Sequence, residues 1–285
     1  MNAWVEAARP RTLSAGVAPV LVGTAASGEF IAWRFVAALV VGLSIQIGVN
    51  YANDLFDAQR GVDTEARLGP RRAVASGLVS PQSMRVALGI TIAVAAFAGL
   101  ALALATTLWL LAVGLACFAA LLAYSGGPRP YASAGLGEVF VLVFFGLVAT
   151  IGSAYVQADS ISATAVAAAL PVGLLAVAIL VVNNLRDIPT DSVAGKNTLA
   201  VRLGEDRTRR LFALLSVAAL VTVFVTSVVA ESLWPLLGLV CSLPLERARR
   251  IVDQSSGSEL IPALVATSAA QIVLGAGLAV GLWIS

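Results

Sequence analysis

The sequence predicts an all-α membrane bundle of about nine helices. Three observations predict it. The chain of 285 residues is 59% hydrophobic and only 12% charged, far less charge than a soluble domain carries. Apolar runs of about 18 or more residues recur along it, the length that crosses a bilayer as a helix. The charges gather between alternate runs instead of spreading along the chain.

Taken in order, the expected spans are 13–28, 35–53, 86–104, 107–124, 136–157, 163–185, 209–230, 232–245 and 259–283. The third and fourth are separated only by Ala105 and Thr106, and the eighth is short and contains Pro235. The N-terminal stretch carries Glu6 and has no small-residue cleavage site after a short apolar core, so it is not read as a signal peptide. Residues 1–285 are read as one domain. With the N-terminus cytoplasmic, the basic residues at 9–11, 60–85, 129, 186–210 and 247–250 all fall on the cytoplasmic side, and only Arg34 lies opposite. That is the positive-inside pattern. It predicts a multi-pass protein of the cell (inner, cytoplasmic) membrane with its chemistry at the cytoplasmic face. The other connections are short and plain: "SGEF", "QADS" and "AES".

The chain has no histidine, which removes the commonest general base and the commonest transition-metal ligand. Cys117 and Cys241 both sit inside apolar runs and read as small buried hydrophobes. Any metal must then be held by oxygen, which points to Mg²⁺ or a similar hard ion.

Charged groups at the end of a membrane-grade segment are costly to bury and mark functional sites. The second span runs into "QIGVNYANDLFDAQRGVD", residues 46–63. On a helix, Gln46, Asn50, Asn53 and Asp57 follow steps of four, three and four and share a face, with Asp54 at its edge. Asp63 follows past Gly61, where the chain can turn back. Asp54, Asp57 and Asp63 form a candidate hard-cation site.

A second group ends the sixth span in "NNLRDIPTDSVAGKNTLAVRLG", residues 183–204, with Asn184, Asp187 and Asp191 at near-helical spacing. Pro189 is expected to end or kink that helix. The surroundings are basic: Arg67, Arg71 and Arg72 follow the first group, Arg186, Lys196 and Arg202 flank the second, and Arg129 lies in a third cytoplasmic loop. Paired carboxylates beside Arg and Lys suit a diphosphate bridged through Mg²⁺, its remaining oxygens held by guanidinium and ammonium groups.

The plainer reading is that loop charges only solvate the loop and set topology. Two Asn–Asp groups at matched depth, each opening into a basic loop with glycine, weigh against it. It does hold for Glu65, Arg85, Glu205, Asp206, Arg207, Arg209 and Arg210. Arg247, Arg249 and Arg250 read as topology determinants or headgroup contacts. Glu138 reads as serving its helix N-terminus.

These residues resemble the UbiA superfamily of intramembrane prenyltransferases, and within it the 1,4-dihydroxy-2-naphthoate polyprenyltransferases of menaquinone biosynthesis. The resemblance covers nearly the whole chain. It rests on "ARPRTL" at 8–13, "NDLFDAQRGVD" at 53–63, "RLGPRRAVASG" at 67–77, "YSGGPRPY" with "GLGEVFVLVFFG", and the second acidic stretch. The chain departs from the branch at Ala66, where Asp is common, and at Arg129, where Lys is common.

The resemblance implies that Asp54, Asp57, Asp63, Asp187 and Asp191 hold Mg²⁺ on a polyprenyl diphosphate. It implies that Asn53 and Asn184 hydrogen-bond in the same shell. Arg129, Lys196 and one or more of Arg67, Arg71 and Arg72 then contact phosphate oxygens, and Tyr124 faces the reaction centre. The implied acceptor is 1,4-dihydroxy-2-naphthoate, prenylated with loss of CO₂.

The chemistry agrees with the residues. Ionising an allylic diphosphate needs the charge of the leaving group absorbed. The allylic cation could be helped by an aromatic face such as Tyr124 or Tyr51. A bundle open sideways would leave the polyprenyl tail among the lipids. No nucleic-acid partner is expected, and the oligomeric state is open. The rival readings are the same transfer to another acceptor, such as 4-hydroxybenzoate or haem, and a cation-coupled transporter. The transporter would place its acidic residues near the bilayer midplane, whereas here they cluster at one face.

Overall fold

A computed structural model describes residues 2–61 and 72–285. Every regular element among the described residues is helical. In chain order they are α1 Ala3–Ala8, α2 Ser14–Ala26, α3 Ala32–Gln59, α4 Pro81–Ala105, α5 Trp109–Ser125, α6 Gly137–Val141, α7 Ala149–Ala158, α8 Ala163–Val193, α9 Leu199–Leu203, α10 Glu205–Val229, α11 Ser242–Gln254 and α12 Ile261–Trp283. A π-helical stretch, Leu142–Val148, joins α6 to α7 as one segment of 22 residues.

Among the described residues, six segments are long and apolar enough to cross a membrane: Ala32–Gln59, Pro81–Ala105, Gly137–Ala158, Ala163–Val193, Glu205–Val229 and Gly257–Trp283. α2 and α5 are apolar but shorter. The span expected at 232–245 is built differently. Trp234–Cys241 is a 3-10 helix of eight residues, about 16 Å long at 2 Å per residue. It runs into α11, which buries Leu245, Ala248 and Val252 and carries Glu246, Arg249, Arg250 and Asp253 in exposed ion pairs.

Local chemistry sets the boundaries. α4 starts where the Ser80 hydroxyl accepts the Ser83 N–H at 3.0 Å, with Pro81 as the first helical residue. α8 starts where the Ser162 hydroxyl accepts the Ala165 N–H at 3.0 Å. α3 stops where Gly61 takes φ +66°, a conformation that glycine adopts without steric cost. Pro189, expected to end or kink α8, does not end it. The helix runs four residues further to Val193, and the Thr190 hydroxyl donates to the Asp187 carbonyl at 3.0 Å within that last turn.

The core surrounds α8, the most buried of the long helices. Leu175, Ala178 and Val182 of α8 pack with Phe212 and Val223 of α10, Val22 of α2 and Leu274 of α12. Small residues bring backbones close, as expected where van der Waals contact drives helix association in lipid. A Cβ added to Gly146 in the π stretch would lie 2.6 Å from Cα of Gly173 in α8. The α4–α5 hairpin packs on α3. Between this hairpin and the π stretch lies a cavity of about 590 Å³.

Candidate active site

α3 and α8 each end in buried polar residues, and the structure brings those ends together. Asp57 is 1% exposed. Its Oδ2 lies 3.0 Å from the Lys196 ammonium and 3.5 Å from the Arg72 guanidinium. The Lys196 backbone N–H donates to the Asp191 carbonyl at 2.8 Å. One residue therefore links the carboxylate of the first acidic group to the backbone of the second. Asp187 and Asp191 are buried as well. The Arg186 guanidinium grips both oxygens of Asp187 at 2.7 Å and reaches Asn183 Oδ1 at 2.8 Å.

Asp54 has different partners. Its two oxygens accept the backbone N–H groups of Ala73 and Val74, at 2.9 and 3.0 Å. Asn53 accepts a hydrogen bond from the Ser125 hydroxyl of α5. Asn184 donates to Glu138 Oε1 at 3.1 Å, and both are buried. Glu138 thus does more than serve a helix N-terminus. Arg129 is exposed, and no hydrogen bond or ion pair joins it to the carboxylates among the described residues. Asp63, Arg67 and Arg71 lie outside the described residues. Among the described residues, no three acidic or thiol side chains stand together as a metal cluster.

Gln46 and Asn50 share the predicted face of α3 but turn to the N-terminal segment. Gln46 donates to the Thr12 hydroxyl at 3.1 Å. Asn50 donates to the same hydroxyl at 3.2 Å and to the Ala8 carbonyl at 2.9 Å. Spacing along α3 carries no sign of these partners, which lie 34 to 42 residues away.

The cavity opens beside this cluster. Arg9, Gln46, Asn50, Asn53 and Asn183 line one part, and apolar side chains of α3, α4, α5 and the π stretch line the rest. An aromatic row forms one wall. Tyr124 meets Tyr131 edge to face at 5.3 Å, Tyr131 stacks on Phe140 at 3.9 Å, and Phe140 is followed by Phe144 at 5.9 Å. The Tyr131 hydroxyl donates to the Ala120 carbonyl at 2.9 Å, and burial pushes its phenol above the ordinary value, so it stays a neutral donor. Tyr124 lines the cavity. Tyr51 turns away and meets Trp4.

A family model, the UbiA prenyltransferase family, matches residues 16–272. The chain belongs to the UbiA prenyltransferase family. It is therefore a multi-pass membrane transferase. It is 46% identical to the 1,4-dihydroxy-2-naphthoate octaprenyltransferase of Mycobacterium tuberculosis over 275 residues, covering 95% of this chain and 93% of that one. It is 37% identical to the enzyme of the same name from Escherichia coli over 295 residues, covering 100% and 96%. Its fold matches a UbiA homolog from Archaeoglobus fulgidus solved with GPP and Mg²⁺, with a TM-score of 0.69 at 18% identity, over 97% of this chain and 99% of that one. In this UbiA-family chain the paired acidic helix ends lie beside an apolar cavity, the arrangement a substrate with a charged head and a lipid tail requires.

Proposed function

We propose that this protein transfers a polyprenyl group from polyprenyl diphosphate to 1,4-dihydroxy-2-naphthoate, releasing diphosphate and CO₂ and giving demethylmenaquinol. The proposed site is the inner cell membrane, with the N-terminus and the acidic helix ends at the cytoplasmic face. The acceptor follows the relatives' names. The observation that carries the chemistry is the junction of Asp57 with Lys196 and Arg72, beside an apolar cavity.

Each residue has a definable task. In the reaction, the allylic C–O bond breaks and its electron pair leaves with the diphosphate. A carbon of the electron-rich ring attacks the allylic cation, and the carboxylate leaves as CO₂. A proton lost from the attacked carbon is matched by one taken up at the carbon that carried the carboxylate, so the ring is aromatic again and no net proton is released. No protein nucleophile is required, which suits a chain without histidine. Lys196 and Arg72, already held at Asp57, can turn their N–H groups toward phosphate oxygens. Arg186 holds Asp187 in place through two hydrogen bonds. Asn53 and Asn184 are fixed by Ser125 and Glu138 at the same level. The Tyr124 ring can face the allylic cation from the cavity wall, and the apolar lining excludes water from it.

The donor set suits a hard ion: buried carboxylates at two joined helix ends, with no imidazole anywhere in the chain. We assign Asp57, Asp187 and Asp191 as the ligands and give Asp54 the separate task of holding the Ala73 and Val74 amides, next to Arg72. Mg²⁺ held there would act as a Lewis acid that neutralises the departing diphosphate. A direct test uses acceptor labelled in its carboxyl group. Labelled CO₂ should appear only when protein, Mg²⁺ and polyprenyl diphosphate are all present. Release independent of the diphosphate would refute the reading.

A further inference from the structure

Among the described residues lining the cavity, Arg9 is the only charged one. It has an unusual backbone. Its φ and ψ are 50° and 70°, the left-handed region that non-glycine residues enter rarely and often at functional sites. The residue is held there by its surroundings. The Arg9 N–H donates to the Glu6 carbonyl at 3.1 Å. The Arg9 carbonyl accepts the Thr12 N–H at 2.9 Å and the Thr12 hydroxyl at 3.0 Å. Thr12 and the Ala8 carbonyl are in turn held by Gln46 and Asn50, which are 7% and 3% exposed. Two buried amides of a membrane helix therefore serve to fix the turn that places this one arginine at the cavity.

The ligand this arrangement suits is an aromatic ring carrying one anionic group. A guanidinium at the polar end of a largely apolar cavity suits a carboxylate, which it can bind through paired hydrogen bonds. Tyr124, Tyr131, Phe140 and Phe144 line the same cavity as an aromatic wall of matching chemistry. The diphosphate has its own cations, Lys196 and Arg72, at Asp57. We propose that Arg9 binds the carboxylate of the aromatic acceptor, that the aromatic wall of Tyr124, Tyr131, Phe140 and Phe144 receives its ring, and that Gln46 and Asn50 are positioning residues which hold Arg9 in place. The proposal rests on the functional reading above and adds the acceptor subsite to it. It has a consequence for turnover. The acceptor loses its carboxylate as CO₂, so the product no longer carries the anion that Arg9 holds, and release is favoured.

The test compares two acceptors in the full-length protein in detergent with Mg²⁺ and a polyprenyl diphosphate. One is 1,4-dihydroxy-2-naphthoate, and the other is 1,4-dihydroxynaphthalene, which lacks the carboxylate. Arg9→Gln should lower kcat/KM for the carboxylated acceptor about 100-fold, as expected for removing one partner of a shielded charge pair. The same variant should retain the wild-type rate on the uncarboxylated ring. Its KM for the polyprenyl diphosphate should not move. Asn50→Ala should show the same acceptor-selective loss, smaller in size. Thermal unfolding guards against misfolding: the polyprenyl diphosphate should raise the Tm of Arg9→Gln as it does for wild type, while 2-naphthoate raises only that of wild type. Equal losses on both acceptors, or a rise in KM confined to the diphosphate, would overturn the assignment. Wild-type protein that prenylates neither acceptor would overturn the functional reading, and Arg9's role with it.

Discussion

The ammonium of Lys196 stands 3.0 Å from Oδ2 of Asp57, across 139 residues of chain. Asp57 ends α3, and Lys196 follows the end of α8. Both side chains are almost fully shielded, at 13% and 2% exposure for Lys196 and Asp57. An ion pair removed from water is held by its geometry, and removing one partner leaves a charge without compensation. The pair therefore couples the two acidic groups mechanically as well as electrostatically.

Lys196→Met should leave the protein inserted and folded but raise KM for the polyprenyl diphosphate and lower kcat, together about 10²–10³-fold in kcat/KM. Steady-state kinetics on purified variants checks this. Arg129→Ala should do much less, because Arg129 is exposed and has no contact with the carboxylates among the described residues. A loss in Arg129→Ala equal to that in Lys196→Met would show that the third loop reaches the diphosphate.

Asp57→Asn and Asp187→Asn should each abolish turnover, with residual rates at least about 10³-fold down. Both should also weaken Mn²⁺ binding measured directly by spin-resonance titration in the presence of prenyl diphosphate. Near-normal turnover or unchanged metal affinity in either would remove that residue from the metal site.

Asp54 should behave differently from Asp57. Its oxygens hold the amides of Ala73 and Val74, next to Arg72. Asp54→Ala should therefore loosen the placement of Arg72, lowering stability by about 1–3 kcal/mol for the two unpaired amides. The Mg²⁺ concentration for half-maximal activity should stay near the wild-type value. A large increase in that concentration would make Asp54 a ligand after all.

Gly173→Ala should destabilise the wall of the cavity. The added Cβ would lie 2.8 Å from Cα of Gly146 and 2.9 Å from a methyl of Leu142, both in the π stretch. Such overpacking costs about 1–3 kcal/mol. A lower Tm with weaker polyprenyl diphosphate binding is expected, and an unchanged Tm would show that the two helices can separate freely.

The helical bundle and its acidic ends were legible because both signals are local. Apolar runs of bilayer length announce helices, and Asp57, Asp187 and Asp191 interrupt them where a charge has no solvation role. Partners brought from elsewhere in the chain were not legible. Spacing placed Gln46 and Asn50 on the face of Asp57, but nothing in it tells that they reach Thr12 and Ala8. Asp54 looked like Asp57, and only the fold shows that its oxygens meet two amides. Pro189 reads as a residue that ends or kinks a helix, yet α8 runs on past it to Val193. The π stretch has no sequence signature of its own; it lies where Gly146 meets Gly173. The eighth expected span was mistaken in form, because an apolar run of eight residues does not reveal its 3-10 pitch.

The central claim is the transfer itself, and the mass of its product tests it most directly. Purified protein in detergent with Mg²⁺ and a polyprenyl diphosphate would be offered 1,4-dihydroxy-2-naphthoate and 4-hydroxybenzoate in separate reactions. The account predicts a prenylated naphthoquinol lighter by CO₂ from the first, nothing from the second, and no product with EDTA. Prenylated 4-hydroxybenzoate alone, or no product from either acceptor, would contradict it.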